Sequence, residues 1–459
     1  MTETGTTWDT VVVGSGLAGL AAAARLAKNR HTVLVLEAAD QLGGRLAPYE
    51  VDGVAVDDWP GMLAFPAPWR DLFRKSGRQL EDELARSGQA LVAAPATRHV
   101  FDDPAGATSE LVLPSERGVQ FSVLSQRYGE KVAVRWRDLL DHLDEVSQTL
   151  RPLGGEGELT SGDQLRRAKR VLQPGRSVAD LASAIGHPHL AAMITTTAWR
   201  AGSVPRHTPG WVAVSLADER RFGRWMVVST GLDGGERPER SSVLLDRLVE
   251  RLGTRRVTVR TSVSVTGVST TRSGPLLIST DDTDDAEISA RTVILAVEPG
   301  VAYRLLGRTA KSERKAAART SPALAPLVEH EVVGVSTPLD QPGDSYRGVH
   351  GGSSPLLDTE ATETIHHTAK GPIITWTRPL PDGRTVVSRH DWTRARPDAG
   401  AGIAWAGPRT ALRRPPIRSE VPGVHLAGPF SRGGADLSHV VLSGALASYA
   451  CHDLLTGTA

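Results

Sequence analysis

A glycine-rich turn close to the start of the chain constrains its fold more than any other feature. Residues 10–24 read TVVVGSGLAGLAAAA, which is an apolar β-branched strand, a G-x-G-x-x-G turn and an Ala-rich helix. In this pattern Gly14 turns the chain off the strand, Gly16 lets backbone approach a diphosphate, and Gly19 lets the helix pack on the sheet. The sequence therefore predicts a βαβ unit with a dinucleotide diphosphate at the helix N-terminus.

The residues after the second predicted strand indicate which dinucleotide binds. Glu37 closes the strand TVLVLE and is placed to accept hydrogen bonds from ribose hydroxyls. It is followed by AADQLGGR, in which Gly43 and Gly44 allow close backbone approach and Arg45 can donate to phosphate oxygens. A nicotinamide-only fold does not need this extension, so we interpret the cofactor as FAD. The alternative is a plain Gly-Gly loop with a solvated arginine.

The far end of the chain repeats the arrangement of strand, glycine loop and helix. Residues 423–429 read GVHLAGP, and residues 432–449 read RGGADLSHVVLSGALASY. A strand and helix that return in this way place N–H groups at the flavin, where reduced flavin carries negative charge. The alternative is a terminal helix that serves only the core.

These motifs resemble the FAD-dependent amine oxidase superfamily, and residues 52–82 resemble its phytoene desaturase (carotenoid dehydrogenase) branch. The resemblance implies an α/β fold with a Rossmann-like FAD-binding domain of the glutathione-reductase type, an inserted α+β substrate domain and a helical lid. It assigns 8–60, 236–300 and 415–459 to the FAD-binding domain. It assigns 61–235 and 301–414 to the substrate domain, with a helical insertion at about 115–220.

The resemblance also completes the set of expected cofactor contacts, including Val263, which corresponds to a family position that contacts adenine through its backbone. The residues predicted to bind FAD are Gly14, Gly16, Leu17, Ala18, Gly19, Glu37, Ala38, Gly43, Gly44, Arg45, Val263, Gly428, Leu437 and Ser438.

Two departures from the family pattern, one in an early loop and one in the tail loop, give the three predicted catalytic residues. Trp59 stands where the desaturase pattern has glycine before a proline, in a loop expected to approach the flavin. Asp436 and His439 stand in the tail loop where small residues are usual. A histidine there could stabilise anionic reduced flavin, and Asp436 could face substrate. A surface or capping role is the alternative for both.

The pattern of the middle of the chain is less specific. Residues 115–220 contain amphipathic stretches and are predicted to be mostly helical. Residues 256–265 alternate as one strand, a hairpin is expected to turn at 281–285, and 323–392 have the β-branched content of a sheet.

Composition limits the class of protein and its partners. With 40% hydrophobic and 23% charged residues the chain is predicted to be globular, and a net charge of +1 argues against a nucleic-acid partner. Histidines lack zinc-site spacing, so no metal is expected, and Cys451 is expected to be a packed side chain. We predict a cytoplasmic protein. The basic run at 166–170 is either a solvated surface or a site of peripheral contact with anionic lipid headgroups.

Two activities compete for the substrate domain. The first is a desaturase or dehydrogenase that removes hydride from a C–H bond of an apolar, isoprenoid-like or polyene-like substrate. The second is a flavin amine oxidase that forms an imine and hydrogen peroxide. Residues 323–334 lack the lysine that the amine oxidase branch often places near flavin N5, which favours the first. A flavoprotein with FAD-assisted cyclisation or a non-redox role is a third hypothesis, and the electron acceptor is oxygen, a quinone or another diffusible molecule.

Overall fold

The computed structural model describes residues 7–102, 108–230, 235–270, 276–283, 286–334 and 362–458. The strands are β1 (Trp8–Val13), β2 (Val33–Leu36), β3 (Tyr49–Val51), β4 (Val54–Val56), β5 (Gln89–Ala93), β6 (Thr97–Asp102), β7 (Thr108–Leu113), β8 (Trp225–Thr230), β9 (Glu236–Pro238), β10 (Thr258–Arg260), β11 (Val265–Thr270), β12 (Leu276–Thr280), β13 (Glu287–Leu295), β14 (Pro322–Val333), β15 (Thr362–Thr368), β16 (Gly371–Pro379), β17 (Thr385–Ile403) and β18 (Val424–Leu426). The helices are α1 (Leu17–Lys28), α2 (Ala67–Ser76), α3 (Leu80–Ala85), α4 (Arg117–Tyr128), α5 (Glu130–Leu150), α6 (Gly162–Arg167), α7 (Lys169–Leu172), α8 (Val178–Ile185), α9 (Pro188–Arg200), α10 (Ser215–Phe222), α11 (Val243–Thr254), α12 (Pro299–Leu305), α13 (Lys311–Ala317), α14 (Thr410–Arg413) and α15 (Leu437–Thr456).

A seven-stranded sheet carries the two ends of the chain. Its order is β10-β2-β1-β13-β12-β11, with β18 beside β13. β10, β2, β1, β13 and β18 pair in parallel, whereas β11 and β12 are antiparallel. Strands β1 and β2 are apolar because helices and strands cover both faces of the parallel part. The carboxyl ends of β1, β2 and β18 therefore open on one edge.

The core on one face of this sheet joins segments distant in sequence. Nearly every residue of α1 is buried, and the helix packs against α11 and α15. Trp69 and Phe73 of α2 are fully buried in the same core, although the predicted domain division places residues 61–235 with the substrate domain. α15 is thus fixed beside α1, which brings the tail motif to the head motif.

The substrate side of the molecule is built on a six-stranded sheet. Its order is β14-β17-β16-β15-β6-β7, in which only β15 and β6 run parallel among the described pairs. A smaller sheet has the order β5-β8-β9, so its last strand lies beyond the boundary predicted at residue 235. Residues between β14 and β15, within the predicted sheet region, fall partly outside the described ranges.

Helices α4 to α10 form the insertion and have a core of their own. Trp136 and Leu140 of α5 are buried there with Leu190 of α9 and Trp211. The α5 helix is one continuous 21-residue element because its apolar residues recur at helical spacing. Its C-terminal end, with α9 and α10, faces the large cavity described below.

The strand predicted at residues 256–265 is divided in the structure. β10 ends at Arg260, and Ser262 adopts a left-handed conformation with φ +57°. The chain then turns to begin β11 at Val265. The expectation of one strand was wrong here, because the alternating pattern continues through a turn that changes the pairing partner. The predicted hairpin turn at 281–285 lies between β12 and β13, with residues 284–285 outside the described ranges.

Candidate active site

The glycine turn after β1 is held by close backbone packing. Gly14 has φ +96°, and a Cβ there would lie 2.7 Å from the carbonyl oxygen of Ala296. A Cβ at Gly19 would lie 2.2 Å from the carbonyl oxygen of Gly14. Neither position can take a side chain without moving backbone. The turn therefore requires glycine at these two sites.

The N-terminus of α1 is open toward the cavity. Its N-cap residue, Gly16, provides no side-chain cap, and a Cβ there would meet no atom within 4 Å. Among the described residues, the N–H groups of Leu17, Ala18 and Gly19 have no hydrogen-bond acceptor. Free N–H groups and the positive end of the helix dipole form an anion site. A diphosphate fits this cradle.

Glu37 lies at the rim of the same turn. The Ser15 N–H and hydroxyl both donate to Glu37 Oε2 at 2.7 Å, and the Ala39 N–H donates to Oε1 at 2.9 Å. The Val263 N–H donates to the Glu37 carbonyl at 2.9 Å, which fixes the loop after β10 beside it. The carboxylate is thus oriented, with lone pairs left for ribose hydroxyls. The sequence interpretation missed Ser15, although a hydroxyl inside the glycine motif was a visible signal.

Arg45, which the sequence predicts to bind a phosphate, contacts protein groups in the structure. Its guanidinium forms a short ion pair with Asp398 of β17, and the two side chains are 42% and 40% exposed. Its backbone carbonyl accepts a hydrogen bond from the Trp59 indole N–H at 3.2 Å. Binding of a phosphate by Arg45 stays a prediction. The phosphate would compete with Asp398 for the guanidinium.

One cavity of about 990 Å³ connects the cradle with the substrate sheet and the helical insertion. Except for Gly19, which packs behind the turn, every predicted site residue lines it: Trp59, Asp436, His439, Gly14, Gly16, Leu17, Ala18, Glu37, Ala38, Gly43, Gly44, Arg45, Val263, Gly428, Leu437 and Ser438. The structure therefore brings the head and tail motifs to one site. The role of each residue toward a cofactor stays a prediction.

Beyond the cradle the cavity widens into a chamber with mainly apolar walls. Its large side chains are Phe65, Leu150, Leu153, Trp211, Phe222, Leu324, Ile374, Trp392 and Trp405. No lysine of the described residues lines it. The indole N–H of Trp392 is buried and has no acceptor among the described residues, so it is available to a polar atom of a ligand.

The tail loop places its polar residues at the start of α15. Asp436 is the N-cap and accepts hydrogen bonds from the His439 backbone N–H at 3.1 Å and its Nδ1 at 2.5 Å. Burial opposes a charged imidazole, but the Asp436 carboxylate outweighs burial and raises the pKa of His439. Asp436 thus caps the helix and also holds a histidine that faces the cavity.

The predicted flavin contacts of the tail differ in whether their backbone N–H groups already donate a hydrogen bond within the protein. The Gly428 N–H donates to the Ser443 hydroxyl at 3.0 Å and is therefore already used. The N–H groups of Leu437 and Ser438 have no acceptor among the described residues. The start of α15 thus offers donors to a negatively charged ring edge.

The Trp59 loop is fixed by a buried carboxylate. Asp57 accepts hydrogen bonds from the Trp59 N–H at 3.1 Å and the Ser242 N–H at 2.7 Å. Burial raises the pKa of Asp57 despite these hydrogen bonds. The Trp59 ring packs partly on the core and lines the cavity between the cradle and the chamber.

Sequence reasoning missed a buried charged cluster that reaches the cavity through Arg200. Glu363 is 2% exposed and accepts from Arg200 at 2.7 Å and Arg224 at 2.8 Å. Burial opposes its charge, but the two arginines lower the pKa of Glu363 to about 2. Asp218 of α10 was missed as well, since its neighbours come from other helices. In the described ranges, no group of three or more His, Cys, Asp or Glu side chains could hold a metal ion.

Comparison with known proteins gives matches of two kinds. Residues 12–76 match the model of an NAD(P)-binding Rossmann-like domain. A 4,4'-diapophytoene desaturase of Staphylococcus haemolyticus is 42% identical over 91 residues, which are 20% of this chain and 17% of that protein. A zeta-carotene-forming phytoene desaturase of Myxococcus xanthus is 31% identical over 226 residues, 47% of this chain and 41% of its own length. The matched segments thus span less than half of these desaturases.

The structural match extends over nearly the whole chain. The structure of putrescine oxidase bound to putrescine has a TM-score of 0.63 at 18% identity and covers 98% of this chain and 99% of its own. At this identity the likeness shows the fold alone. The predicted fold class, a Rossmann-like FAD-binding domain with an inserted substrate domain, is confirmed.

Proposed function

From its place in the FAD-dependent amine oxidase and phytoene desaturase-like superfamily, we propose that the chain is an FAD-dependent oxidoreductase of the desaturase or dehydrogenase type. It removes hydride from a C–H bond of a largely apolar substrate, isoprenoid-like or polyene-like. The observation that carries the proposal is the single cavity that runs from the dinucleotide cradle into a chamber walled by aromatic and aliphatic side chains.

The residues present fit FAD. The open helix N-terminus at Gly16 would take the diphosphate, Glu37 the adenosine ribose, and the loop at Val263 the adenine. The free N–H groups of Leu437 and Ser438 would face the ring system. When bound, oxidised flavin supplies a two-electron hydride acceptor.

The chain's own contribution is to position the substrate and to exclude water. Trp59 and the aromatic chamber walls would hold an apolar chain with its reactive carbon against the ring. His439, held by Asp436, would stabilise negative charge that develops at the ring edge. We propose Trp59, Asp436 and His439 as residues of the flavin cavity on this basis.

Amine oxidation is the second candidate, because the fold match includes putrescine oxidase. The carboxylates of Asp218 and Asp436 in the cavity wall would suit a cationic group, whereas a lysine is absent from the described part of that wall. The size of the apolar chamber favours the first candidate. FAD-assisted cyclisation stays as the third hypothesis and would leave the flavin oxidised.

Peripheral membrane contact is proposed for the basic run on α6 and α7. Arg166, Arg167, Lys169 and Arg170 are exposed, while Leu165 on the same segment lines the cavity. An apolar substrate could thus pass from a lipid surface to the chamber along one element. In the described ranges, no helix has both the length and the hydropathy needed to span a bilayer. Co-sedimentation with anionic liposomes should fall when these four residues are replaced by glutamine.

The activity is tested by product analysis. The FAD-loaded protein is incubated with polyisoprenoids, and with amines in parallel, in the presence of oxygen or a quinone. We expect an isoprenoid product that has lost two hydrogen atoms, with an absorption band at longer wavelength. Oxidation of amines alone would overturn the desaturase assignment, and product formation without flavin reduction would support the cyclisation hypothesis instead.

A further inference from the structure

Asp218 presents a carboxylate oxygen to the cavity without a cationic partner. It lies on α10, and its Oδ1 accepts a hydrogen bond from the Ser147 hydroxyl of α5 at 2.8 Å. Among the described residues no other donor and no ion pair is found for this carboxylate. Both Asp218 and Ser147 line the cavity. Its second oxygen is therefore available to a ligand.

The N-terminus of α15 lies next to this carboxylate. The Phe65 ring lies between His439, with ring centroids 6.3 Å apart, and Phe222, with centroids 5.0 Å apart. Phe222 is one helical turn after Asp218 on α10. The two elements therefore meet across the cavity wall, where Asp218 also raises the pKa of His439.

Charged groups near Asp218 come from α10 itself and from α5, α9 and α15. On α5, Asp144 is paired with Arg220 at 2.5 Å, and on α10 itself Glu219 is paired with Arg200 at 3.4 Å. From α15 come Asp436 and His439.

These surroundings set the proton affinity of the carboxyl group. Burial raises the pKa of Asp218 to about 6, and the carboxylates of Asp436 and Asp144 add to this effect. The Ser147 hydrogen bond and the nearby His439 act in the opposite direction. At neutral pH the group is therefore mostly ionised and yet able to accept a proton, as a general base must be.

We propose that Asp218 is the proton acceptor of the oxidation. This inference rests on the proposed function. The electron pair of one C–H bond leaves as hydride to oxidised FAD. The C–H bond of the adjacent carbon breaks, its electron pair forms the new double bond, and its proton goes to Asp218 Oδ2. The protonated carboxyl group then releases the proton to solvent.

The first test compares Asp218→Asn with Asp138→Asn, an exposed position on α5. Flavin reduction by substrate is followed anaerobically in the FAD-loaded proteins. We expect Asp218→Asn to lower the limiting rate by about a hundredfold or more, with the oxidised flavin spectrum unchanged. The control should keep the wild-type rate. A raised half-saturating concentration with an unchanged limiting rate would make Asp218 a binding group and overturn the proposal.

The second test follows pH. The wild-type rate should rise with pH through an ionisation near 6, and Ser147→Ala should move that ionisation upward because a hydrogen bond to the charged form is lost. Asp218→Glu should restore part of the rate and retain an ionisation. A wild-type profile with no ionisation between pH 5 and 7, or one unchanged by Ser147→Ala, would contradict the assignment.

The third test needs no turnover, so it separates this inference from the proposed function. Carbon-13 NMR of the FAD-loaded protein should show the Asp218 carboxyl group titrating near pH 6. The His439 imidazole should titrate at lower pH in Asp218→Asn than in wild type. If no substrate reduces the flavin but these titrations appear, the proposed function fails while the proton site stands. If the titrations are absent, the inference fails whatever the substrate.

Discussion

Replacement of Glu363 by glutamine should destabilise the protein through one defined ion cluster. The carboxylate is 2% exposed and joins Arg200 of α9 with Arg224 before β8. The lowering of its pKa from 4.5 to about 2 corresponds to about 3 kcal/mol at 1.36 kcal/mol per unit. Breaking a buried pair by removal of one partner costs roughly 3–5 kcal/mol, in the same range.

The direction of the pKa shift determines how the stability that Glu363 contributes depends on pH. Because the folded-state pKa of Glu363 is lower than the unfolded one, its contribution is complete above about pH 4.5 and is lost as the pH falls toward 2. Glu363→Gln should therefore lower the free energy of unfolding by about 3 kcal/mol at pH 7, measured by urea denaturation. Glu331→Gln, exposed on β14, is the matched control and should change it by less than about 0.5 kcal/mol. A loss below about 1 kcal/mol for Glu363→Gln would show that the ion cluster does not stabilise the fold as its pKa shift implies.

Three further changes test other parts of the structure. Gly19→Val should abolish FAD retention, measured as the FAD-to-protein absorbance ratio, because the new Cβ would lie 2.2 Å from the Gly14 carbonyl oxygen. Trp59→Gly should weaken FAD retention and shift the flavin spectrum. An unchanged spectrum and turnover would show that the assignment of Trp59 to the flavin cavity is wrong. His425 is buried, and neither of its ring nitrogens has a hydrogen-bond partner within the described part of the chain. Burial lowers its pKa to about 4, so the protein should lose stability as pH falls from 6.5 to 4. Urea denaturation measures how much the free energy of unfolding decreases from pH 7 to pH 5. This decrease should be about 2 kcal/mol smaller in His425→Leu than in the wild type.

The geometry of the glycine turn could be predicted from the sequence because its determinants are local. Gly14, Gly19 and Glu37 act within one βαβ unit, and their spacing carries the geometry. The tail motif could be matched to the head because both are strand, loop and helix units of one sheet. Even the alternation at residues 256–265 was real, but it could not reveal that the strand changes partner at Ser262.

The chamber could not be predicted in the same way. Asp218 and Ser147 meet because α10 docks on α5, and Arg45 meets Asp398 across more than 350 positions of sequence. No periodicity or motif encodes such pairings, since they depend on how whole elements pack. The same holds for Glu363 of β15, whose two arginines come from α9 and from the residue before β8. The arrangement of the substrate side depends on such long-range contacts, which is why the cofactor was easier to predict than the substrate.

The proposed desaturase activity is tested by anaerobic mixing of the FAD-loaded protein with polyisoprenoids and, separately, with amines. The oxidised flavin absorbance near ~450 nm is followed after mixing. We predict that an isoprenoid or polyene bleaches this band, because a C–H bond of an apolar substrate gives its hydride to the flavin. Bleaching by amines alone would contradict the central claim while leaving the fold as described.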